Sequence, residues 1–207
     1  MSSDGDNSIH ANVPPVSAIT LLQMGLGTIQ ATEFDKIHPV YKRDVSKILT
    51  MVRLIDLFTP EEVDVIDYIL KSFLQPRHNW YKCLCYKEGN NVLGFACYAP
   101  AAITIGTFDI LWMAVSPTSQ GKGVGGTMLR YIEQALQKQD ARLIGIETSS
   151  QKKYAQTRKF YEKNGYKRVA YIRDYYSPGD GKVVYAKYFL ASNCQTSPAQ
   201  SLVPVPA

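Results

Sequence analysis

A glycine-rich segment at residues 120–126 separates an apolar run from a helical pattern, and it constrains the fold more than any other feature. It reads Gln-Gly-Lys-Gly-Val-Gly-Gly, follows the largely apolar residues 108–115 and Pro117, and precedes helical spacing over residues 127–139. Glycines at these spacings let the backbone turn tightly and point several N–H groups at one place. A following helix adds unpaired N–H groups and the positive end of its dipole. The segment therefore predicts a strand, an anion-binding loop and a helix, in that order.

Two common phosphate-binding motifs do not fit this segment. It lacks the Gly-Lys-Ser/Thr ending of a P-loop, and it lacks the Gly-x-Gly-x-x-Gly fingerprint followed about twenty residues later by an acidic side chain. A glycine-rich turn between a strand and a helix also occurs without any ligand, so a purely structural turn stays open as an alternative.

Periodic apolar residues predict four helices. The first follows a short strand near residues 40–42 and is expected to be capped by Asp44, whereas Thr59 caps the second. The third follows the glycine-rich segment, and the fourth spans residues 154–164 and ends at Gly165, a residue type that accepts the left-handed conformation. The apolar stripes of the first three are Val45, Ile48, Leu49 and Val52, then Val63, Ile66, Ile69, Leu70 and Phe73, then Met128, Leu129, Ile132 and Leu136.

Alternating or largely apolar runs predict the strands. Residues 80–86 and 92–98 flank a hairpin sequence, and residues 108–115 are apolar enough for a central strand. A turn-rich loop over residues 174–181 separates the last two strands. The last three predicted strands are residues 142–147, 166–172 and 183–189. The order β-α-α-β-β-β-α-β-α-β-β predicts an α+β fold, with helices on both faces of one mixed sheet.

Three motifs resemble those of the GNAT acetyltransferase superfamily. The glycine-rich segment matches its Gln/Arg-x-x-Gly-x-Gly/Ala signature, Ala-Val-Ser-Pro at residues 114–117 leads into it, and Phe-Tyr-Glu-Lys-Asn-Gly-Tyr at residues 160–166 is similar to the end of the family's fourth helix. The resemblance covers about residues 41–190. It implies a GNAT-like mixed, mostly antiparallel sheet of six to seven strands flanked by about four helices, in three α/β/α layers. Residues 1–40 are expected to form a partly disordered N-terminal extension, and residues 191–207 a disordered tail.

By resemblance, the cofactor is acetyl-coenzyme A. The glycine-rich loop would hold its pyrophosphate, and the end of the preceding strand would pair with the pantetheine arm and polarise the acetyl carbonyl. Many relatives have Asn at the start of the fourth helix and Ala a turn later, where this chain has Tyr154 and Thr157. Tyr154 is therefore expected to stack or hydrogen-bond near the pantetheine. The cofactor-binding residues implied are Met113, Ala114, Val115, Gln120, Gly121, Lys122, Gly123, Val124, Gly125, Gly126, Tyr154 and Tyr161.

The candidate catalytic residues are Tyr161, Glu147 and Asp109, of which the resemblance implies Tyr161. Tyr161 stands where many relatives have a tyrosine that protonates the coenzyme A sulfur, and a phenol pKa of about 10 suits an acid better than a base. Glu147 and Asp109 are the carboxylates nearest the expected cleft, so either is a candidate general base. Structural alternatives stay open: a packed helix tyrosine, a surface ion pair for Asp109, and binding of the substrate ammonium by Glu147.

Aromatic and acidic side chains mark the expected acceptor site. Aromatic rings and carboxylates together suit a small amine, because both attract an ammonium group. A loop that packs only on itself is the alternative. The substrate-binding candidates are Trp112, Asp174, Tyr175 and Tyr176, with Tyr171 and Asp180 as further members of the same region.

Composition limits the partners and the compartment. The formal net charge of +5 is spread along the chain, which suits a phosphorylated small ligand and leads us to expect no nucleic-acid partner. No segment approaches the roughly twenty apolar residues of a membrane span, so we expect no membrane partner. The four cysteines lack the spacing of a metal site and suit buried positions in a cytoplasmic protein. They are Cys83, Cys85, Cys97 and Cys194.

The sequence therefore predicts a cytoplasmic N-acetyltransferase that acetylates a primary amine, preferably of a small molecule, by direct attack in a ternary complex. His10, His38 and His78 form no recognisable nucleophile–base pair with the cysteines, which disfavours a covalent intermediate. Two alternatives stay open: a non-catalytic acyl-coenzyme A-binding module that acts through a partner, and a protein or peptide N-acetyltransferase. A homodimer is also considered, because dimers are common in the family.

Overall fold

The computed structural model describes residues 33–75 and 80–189, and every element below lies in the compact unit that begins at Lys36. The order of strands and helices is the predicted one. The elements are β1 (Ile37–Pro39), α1 (Lys42–Arg53), α2 (Pro60–Phe73), β2 (Lys82–Glu88), β3 (Asn91–Pro100), β4 (Thr107–Val115), α3 (Val124–Gln137), β5 (Leu143–Ser149), α4 (Ala155–Lys163), β6 (Lys167–Ser177) and β7 (Asp180–Tyr188).

One seven-stranded sheet forms the centre of the fold, in the order β1-β2-β3-β4-β5-β7-β6. All neighbouring pairs are antiparallel except β4 and β5, which confirms the predicted mixed, mostly antiparallel sheet with β4 in the middle. The parallel pairing of β4 with β5 ends at Ile110 and Ile146, although both strands continue. The two strands therefore part toward their carboxyl ends and open a cleft in the middle of the sheet.

Helices α1 and α2 cover one face of the sheet. Ile48 and Val52 of α1 and Ile66 and Leu70 of α2 are completely buried, because the apolar stripes predicted from their spacing face the strands. The sheet side of this core includes Cys83, Cys85, Phe95 and Cys97, so the cysteines within the described residues are buried as predicted.

Helix α3 covers the other face, with Met128, Leu129 and Ile132 fully buried as predicted. It approaches β3 closely because Gly94 has no side chain. A Cβ at position 94 would lie 2.6 Å from Met128 Sδ and 3.0 Å from Val124 Cγ1, which is closer than such atoms pack. Helices on both faces confirm the three-layer arrangement.

The starts of α1 and α2 differ in how well the sequence predicted them. Thr59 caps α2 as expected, because its Oγ1 accepts from the Glu62 N–H. Asp44 is not the cap of α1: Tyr41 occupies that position, and Asp44 lies one turn inside the helix. Its fully buried carboxylate accepts from the Tyr41 N–H and from Lys87 Nζ, at 3.1 Å and 2.8 Å. Asp44 thus forms an ion pair with Lys87 of β2, and the residue pattern at the start of a helix does not predict a partner so far away in the chain.

The last two strands also differ from the prediction. Residues 174–181 are not a long loop, because β6 and β7 continue through most of them to a tight turn at residues 178–179. The register passes from Ile172 opposite Lys182 to Ser177 opposite Asp180, so residues 173–176 form a bulge. The first strand lies at Ile37–Pro39, slightly before its predicted position.

Several predictions fall on parts of the chain outside the described residues. They concern most of the extension at residues 1–40, the tail at residues 191–207, and the side chains of His10, His78 and Cys194. In residues 33–75 and 80–189, no helix has both the length and the apolar character that a membrane span requires.

Candidate active site

The glycine-rich loop has the backbone geometry that its sequence predicts. Gly121 and Gly123 have φ angles of 75° and 87°, in the left-handed region that favours glycine, and no heavy atom lies within 4 Å of a Cβ built on either one. Gly123 is the residue before the first turn of α3. The exposed Lys122 lies between them. The loop therefore presents main-chain N–H groups, a helix N-terminus and an ammonium group beside open space.

The remaining glycines of the segment have packing roles as well. A Cβ on Gly125 would lie 3.3 Å from the Phe160 ring of α4, and a Cβ on Gly126 would lie 3.2 Å from the Arg130 guanidinium. Gln120 closes the loop from the other end, because its Nε2 donates to the Val115 carbonyl at 3.2 Å.

The end of β4 offers an open backbone edge toward the cleft. Met113, Ala114 and Val115 pair with β3 on one side. On the other side the ladder with β5 has already ended at Ile110, so within the described residues no strand pairs with that edge. An extended ligand arm can add to such an edge as a strand would.

Tyr161 lies in an aromatic cluster behind this edge. Its ring centroid is 5.4 Å from that of Phe160, 6.1 Å from Tyr166 and 6.0 Å from Tyr185. The side chain is 6% exposed, and burial raises the pKa of Tyr161 to about 12, so the phenol stays protonated at neutral pH. Among the described residues none forms a hydrogen bond with its hydroxyl, which leaves that O–H available to a ligand.

Charged and aromatic side chains meet on the opposite side of the cleft, on the face that α1 and α2 cover. Glu147 Oε2 lies 2.6 Å from Lys182 Nζ, and this ammonium lies 3.7 Å from the centroid of the Tyr175 ring. Tyr176 packs edge-on against Tyr175, with 5.0 Å between ring centroids. Burial and the nearby charge of Glu147 raise the pKa of Tyr176, so this side chain also interacts electrostatically with Glu147. The structure thus brings predicted residues from β5 and β6 together around Lys182.

Asp109 belongs to the same face and leans toward β5. It pairs with Gly145 in the parallel ladder, and a Cβ at position 145 would lie 2.5 Å from Asp109 Oδ1. The missing side chain of Gly145 therefore makes room for this carboxylate. Burial, and secondarily the charge of Glu147, raise the pKa of Asp109.

Tyr154 joins two walls of the cleft. Its hydroxyl donates to the Leu57 carbonyl at 2.7 Å, which joins the start of α4 to the connection between α1 and α2. Beside this bond, Phe58 packs against Trp112 of β4, with 6.0 Å between ring centroids. Tyr154 and Trp112 were predicted as separate cofactor and substrate residues, and the structure gives both of them contacts to the α1–α2 connection.

Two acidic residues of the predicted acceptor loop have other partners. Asp180 is 7% exposed and accepts hydrogen bonds from Ser149 Oγ, the Ser150 N–H and Gln151 Nε2, so it supports the end of β5. This buried carboxylate is not open to an amine, which corrects the expectation for Asp180. Asp174 is exposed on the bulge and accepts from the Gly179 N–H at 2.8 Å.

Sequence reasoning missed Lys182, Gly145 and the contacts of the α1–α2 connection. The sequence contained two signals. Lys182 is a single lysine beside an apolar strand, and Gly145 interrupts the apolar run Leu-Ile-Gly-Ile, a pattern typical of a strand that another group approaches closely. The hydrogen bond from Tyr154 to Leu57 joins residues far apart in the chain and had no local signal.

Comparisons with known proteins agree with this geometry. Residues 79–168 match the family model of the acetyltransferase (GNAT) domain. The crystal structure of a Desulfovibrio desulfuricans protein assigned to the GNAT family is 32% identical, with a TM-score of 0.71 over 73% of this chain and 97% of that one. A search of curated proteins found no match.

Two more distant structures share the fold. One is the ribosomal-protein-S18-alanine N-acetyltransferase of Escherichia coli, with 16% identity and a TM-score of 0.62 over 78% of this chain and 97% of that one. The other is an aminoglycoside 6'-N-acetyltransferase complexed with coenzyme A, with 14% identity and a TM-score of 0.59 over 76% of this chain and 98% of that one. Three observations therefore agree: the family match, the structure with 32% identity, and the separation of β4 from β5 next to the glycine-rich start of α3. The chain belongs to the GNAT family of N-acetyltransferases.

Proposed function

We propose that this enzyme transfers the acetyl group of acetyl-coenzyme A to a primary amine of a small molecule, by direct attack in a ternary complex. The observation that carries the proposal is the cleft between β4 and β5, which has an open backbone edge on one side and carboxylates on the other. The three cysteines among the described residues are buried and unbridged, which supports a cytoplasmic location.

The donor half of the proposed site consists of main chain and one side chain. The N–H groups of residues 121 and 123–126 and the ammonium of Lys122 suit a pyrophosphate, and the open edge of Met113–Val115 suits the pantetheine arm. A backbone N–H of that edge then donates to the acetyl oxygen as negative charge develops there. Acetyl-coenzyme A supplies the acetyl group and a thiolate leaving group.

The acid–base residues complete the reaction. Asp109 or Glu147 accepts a proton from the acceptor ammonium, and the freed amine forms the new C–N bond while the C–S bond breaks. Tyr161 then donates its phenolic proton to the leaving sulfur, and the second proton, which the new amide nitrogen loses, restores the Tyr161 phenol. Its pKa of about 12 keeps the phenol protonated at neutral pH, so the proton is present when the thiolate leaves.

The shape of the acceptor half favours a small molecule over a protein segment. An extended peptide needs a groove that is open along its length. Here the bond from Tyr154 to Leu57 and the contact of Phe58 with Trp112 tie the α1–α2 connection across the acceptor side. Tyr175 and Tyr176 of the β6 bulge add aromatic surface near Glu147, which suits an ammonium group.

Calorimetric titration with acetyl-coenzyme A, followed by a thiol-release screen of amino acids, polyamines, aminoglycosides and short peptides, tests the proposal. Binding with thiol release by one small amine supports it. Release with peptides alone would favour a peptide N-acetyltransferase, and binding without release would favour an acyl-coenzyme A sensor. No binding would overturn the assignment of residues 120–126.

A further inference from the structure

Lys182 occupies a fixed position between the two parts of the acceptor site. Its side chain is only 10% exposed, and its Nζ lies 2.6 Å from Glu147 and over the Tyr175 ring. Burial opposes the charge, but the hydrogen bonds with Glu147 and Tyr175 and the charge of Glu147 outweigh it and raise the pKa of Lys182. The lysine is therefore protonated, and the charge of Glu147 already has a partner.

Asp109 has no such partner. Gly145 lies opposite Asp109, and Glu147 follows two residues later on the same face of β5, so both carboxylates project from neighbouring strands into one region. The Asp109 carboxylate extends over Gly145, and among the described residues no lysine, arginine or histidine forms an ion pair with it. The two carboxylates of the site thus differ in their surroundings.

We propose that Lys182 is a positioning residue that separates the roles of the two carboxylates, holding Glu147 as a permanent ion pair and leaving Asp109 to accept the proton of the acceptor ammonium. This inference rests on the proposed acetyl transfer. It adds Lys182 of β7 to the site and assigns the role of general base to Asp109 instead of Glu147.

Electrostatics supports the division of roles. Among the described residues, the titratable and charged groups on this side of the cleft include Glu147 on β5, Lys182 and Asp180 on β7, Tyr175 and Tyr176 on β6, and Tyr154 just before α4. The residue opposite Asp109 on β3 is the neutral Ala99. Burial and the fixed charge of Glu147 raise the pKa of Asp109, which moves this base closer to neutral pH. Lys182 limits that rise, because its positive charge opposes the field of Glu147. Without Lys182 the two carboxylates would share protons as a coupled pair.

Carboxyl NMR titration of the free protein tests this assignment without requiring turnover. In Lys182→Met the Asp109 titration midpoint is expected to rise by about half a unit or more. In Glu147→Gln it is expected to fall. Lys182→Arg keeps the charge and should stay close to the wild type. Lys187→Met is the matched control, because Lys187 lies on the same strand but faces α3, where its Nζ is 2.7 Å from Glu133.

Kinetics adds a second readout once an acceptor is known. The acidic limb of kcat/KM should move to higher pH in Lys182→Met, with about a threefold loss at a pH about one unit below the Asp109 midpoint measured by NMR and little loss at a pH about two units above it, because a half-unit shift changes the ionised fraction by that factor only below the midpoint. An unmoved Asp109 midpoint, or equal losses at both pH values, would overturn the role of Lys182. Absence of acetyl transfer in the wild-type protein would instead contradict the proposed function, whatever the NMR titration shows.

Discussion

The two halves of the cleft are built from different materials. On the proposed donor side, the open edge of β4 and the left-handed Gly121 and Gly123 offer mainly backbone groups from one continuous stretch of chain. On the proposed acceptor side, the side chains of Asp109, Glu147 and Lys182 come from three different strands. A site made of backbone groups keeps its function through many substitutions as long as the backbone conformation is kept. A site made of side chains depends instead on the identity of each residue.

The largest expected effect is in the acceptor half. Asp109→Asn keeps the shape of the side chain but removes the base, so kcat/KM should fall by about 10³-fold while the Kd for acetyl-coenzyme A stays within twofold. Steady-state kinetics and calorimetry measure the two quantities. Asp140→Asn, at a residue just after α3, is the control and should retain full activity. Retention of activity in Asp109→Asn would assign the base to another group.

Tyr161→Phe should lower kcat by about 10²-fold with little change in acetyl-coenzyme A affinity, because it removes one O–H and keeps the packed ring. Thermal unfolding should change little, since no described residue bonds to that hydroxyl. Tyr166→Phe is the control from the same cluster: its buried hydroxyl lies beside the Glu133 carboxylate of α3, and its loss should leave kcat unchanged. Equal kcat values for wild type and Tyr161→Phe would remove Tyr161 from the mechanism.

Gly123→Ala should weaken acetyl-coenzyme A binding by about tenfold, because a Cβ disfavours the left-handed backbone by about 1–2 kcal/mol and the loop would shift to relieve it. Gly89→Ala is the matched control, since Gly89 also has a positive φ of 58° and open space around its Cβ but lies in the β2–β3 turn. Both variants should lose stability, and only the first should lose affinity. If both bind acetyl-coenzyme A equally well, the loop does not hold it.

Tyr154→Phe is expected to have the smallest effect, and it distinguishes a role of Tyr154 in the acceptor half from a role in the donor half. Loss of the bond to Leu57 should raise the KM of the acceptor by about fivefold, as a hydrogen bond of about 1 kcal/mol implies, and leave the KM of acetyl-coenzyme A unchanged. A rise confined to the KM of acetyl-coenzyme A would support the role near the pantetheine that the sequence suggested.

The contrast between local backbone features and distant side-chain contacts also explains which parts of the fold and of the site could be predicted from the sequence. Periodicity predicted the element order and the stripe of α3, because local spacing determines which face is buried. The glycine-rich loop was predicted for the same reason, since its conformation depends on residue types in sequence. The partners of Asp44 and Lys182 were not predicted, because each ion pair joins strands or helices far apart in the chain. The roles of the individual site residues stay predictions.

Gly94 links the packing of the core to the position of the glycine-rich loop. Its bare backbone lets Val124 and Met128 settle against β3, so the depth of the first turn of α3 is set by a residue that faces the core. A methyl group at position 94 would push that turn away from the sheet, so a substitution in the core would reshape the proposed coenzyme A site without altering any residue of the cleft.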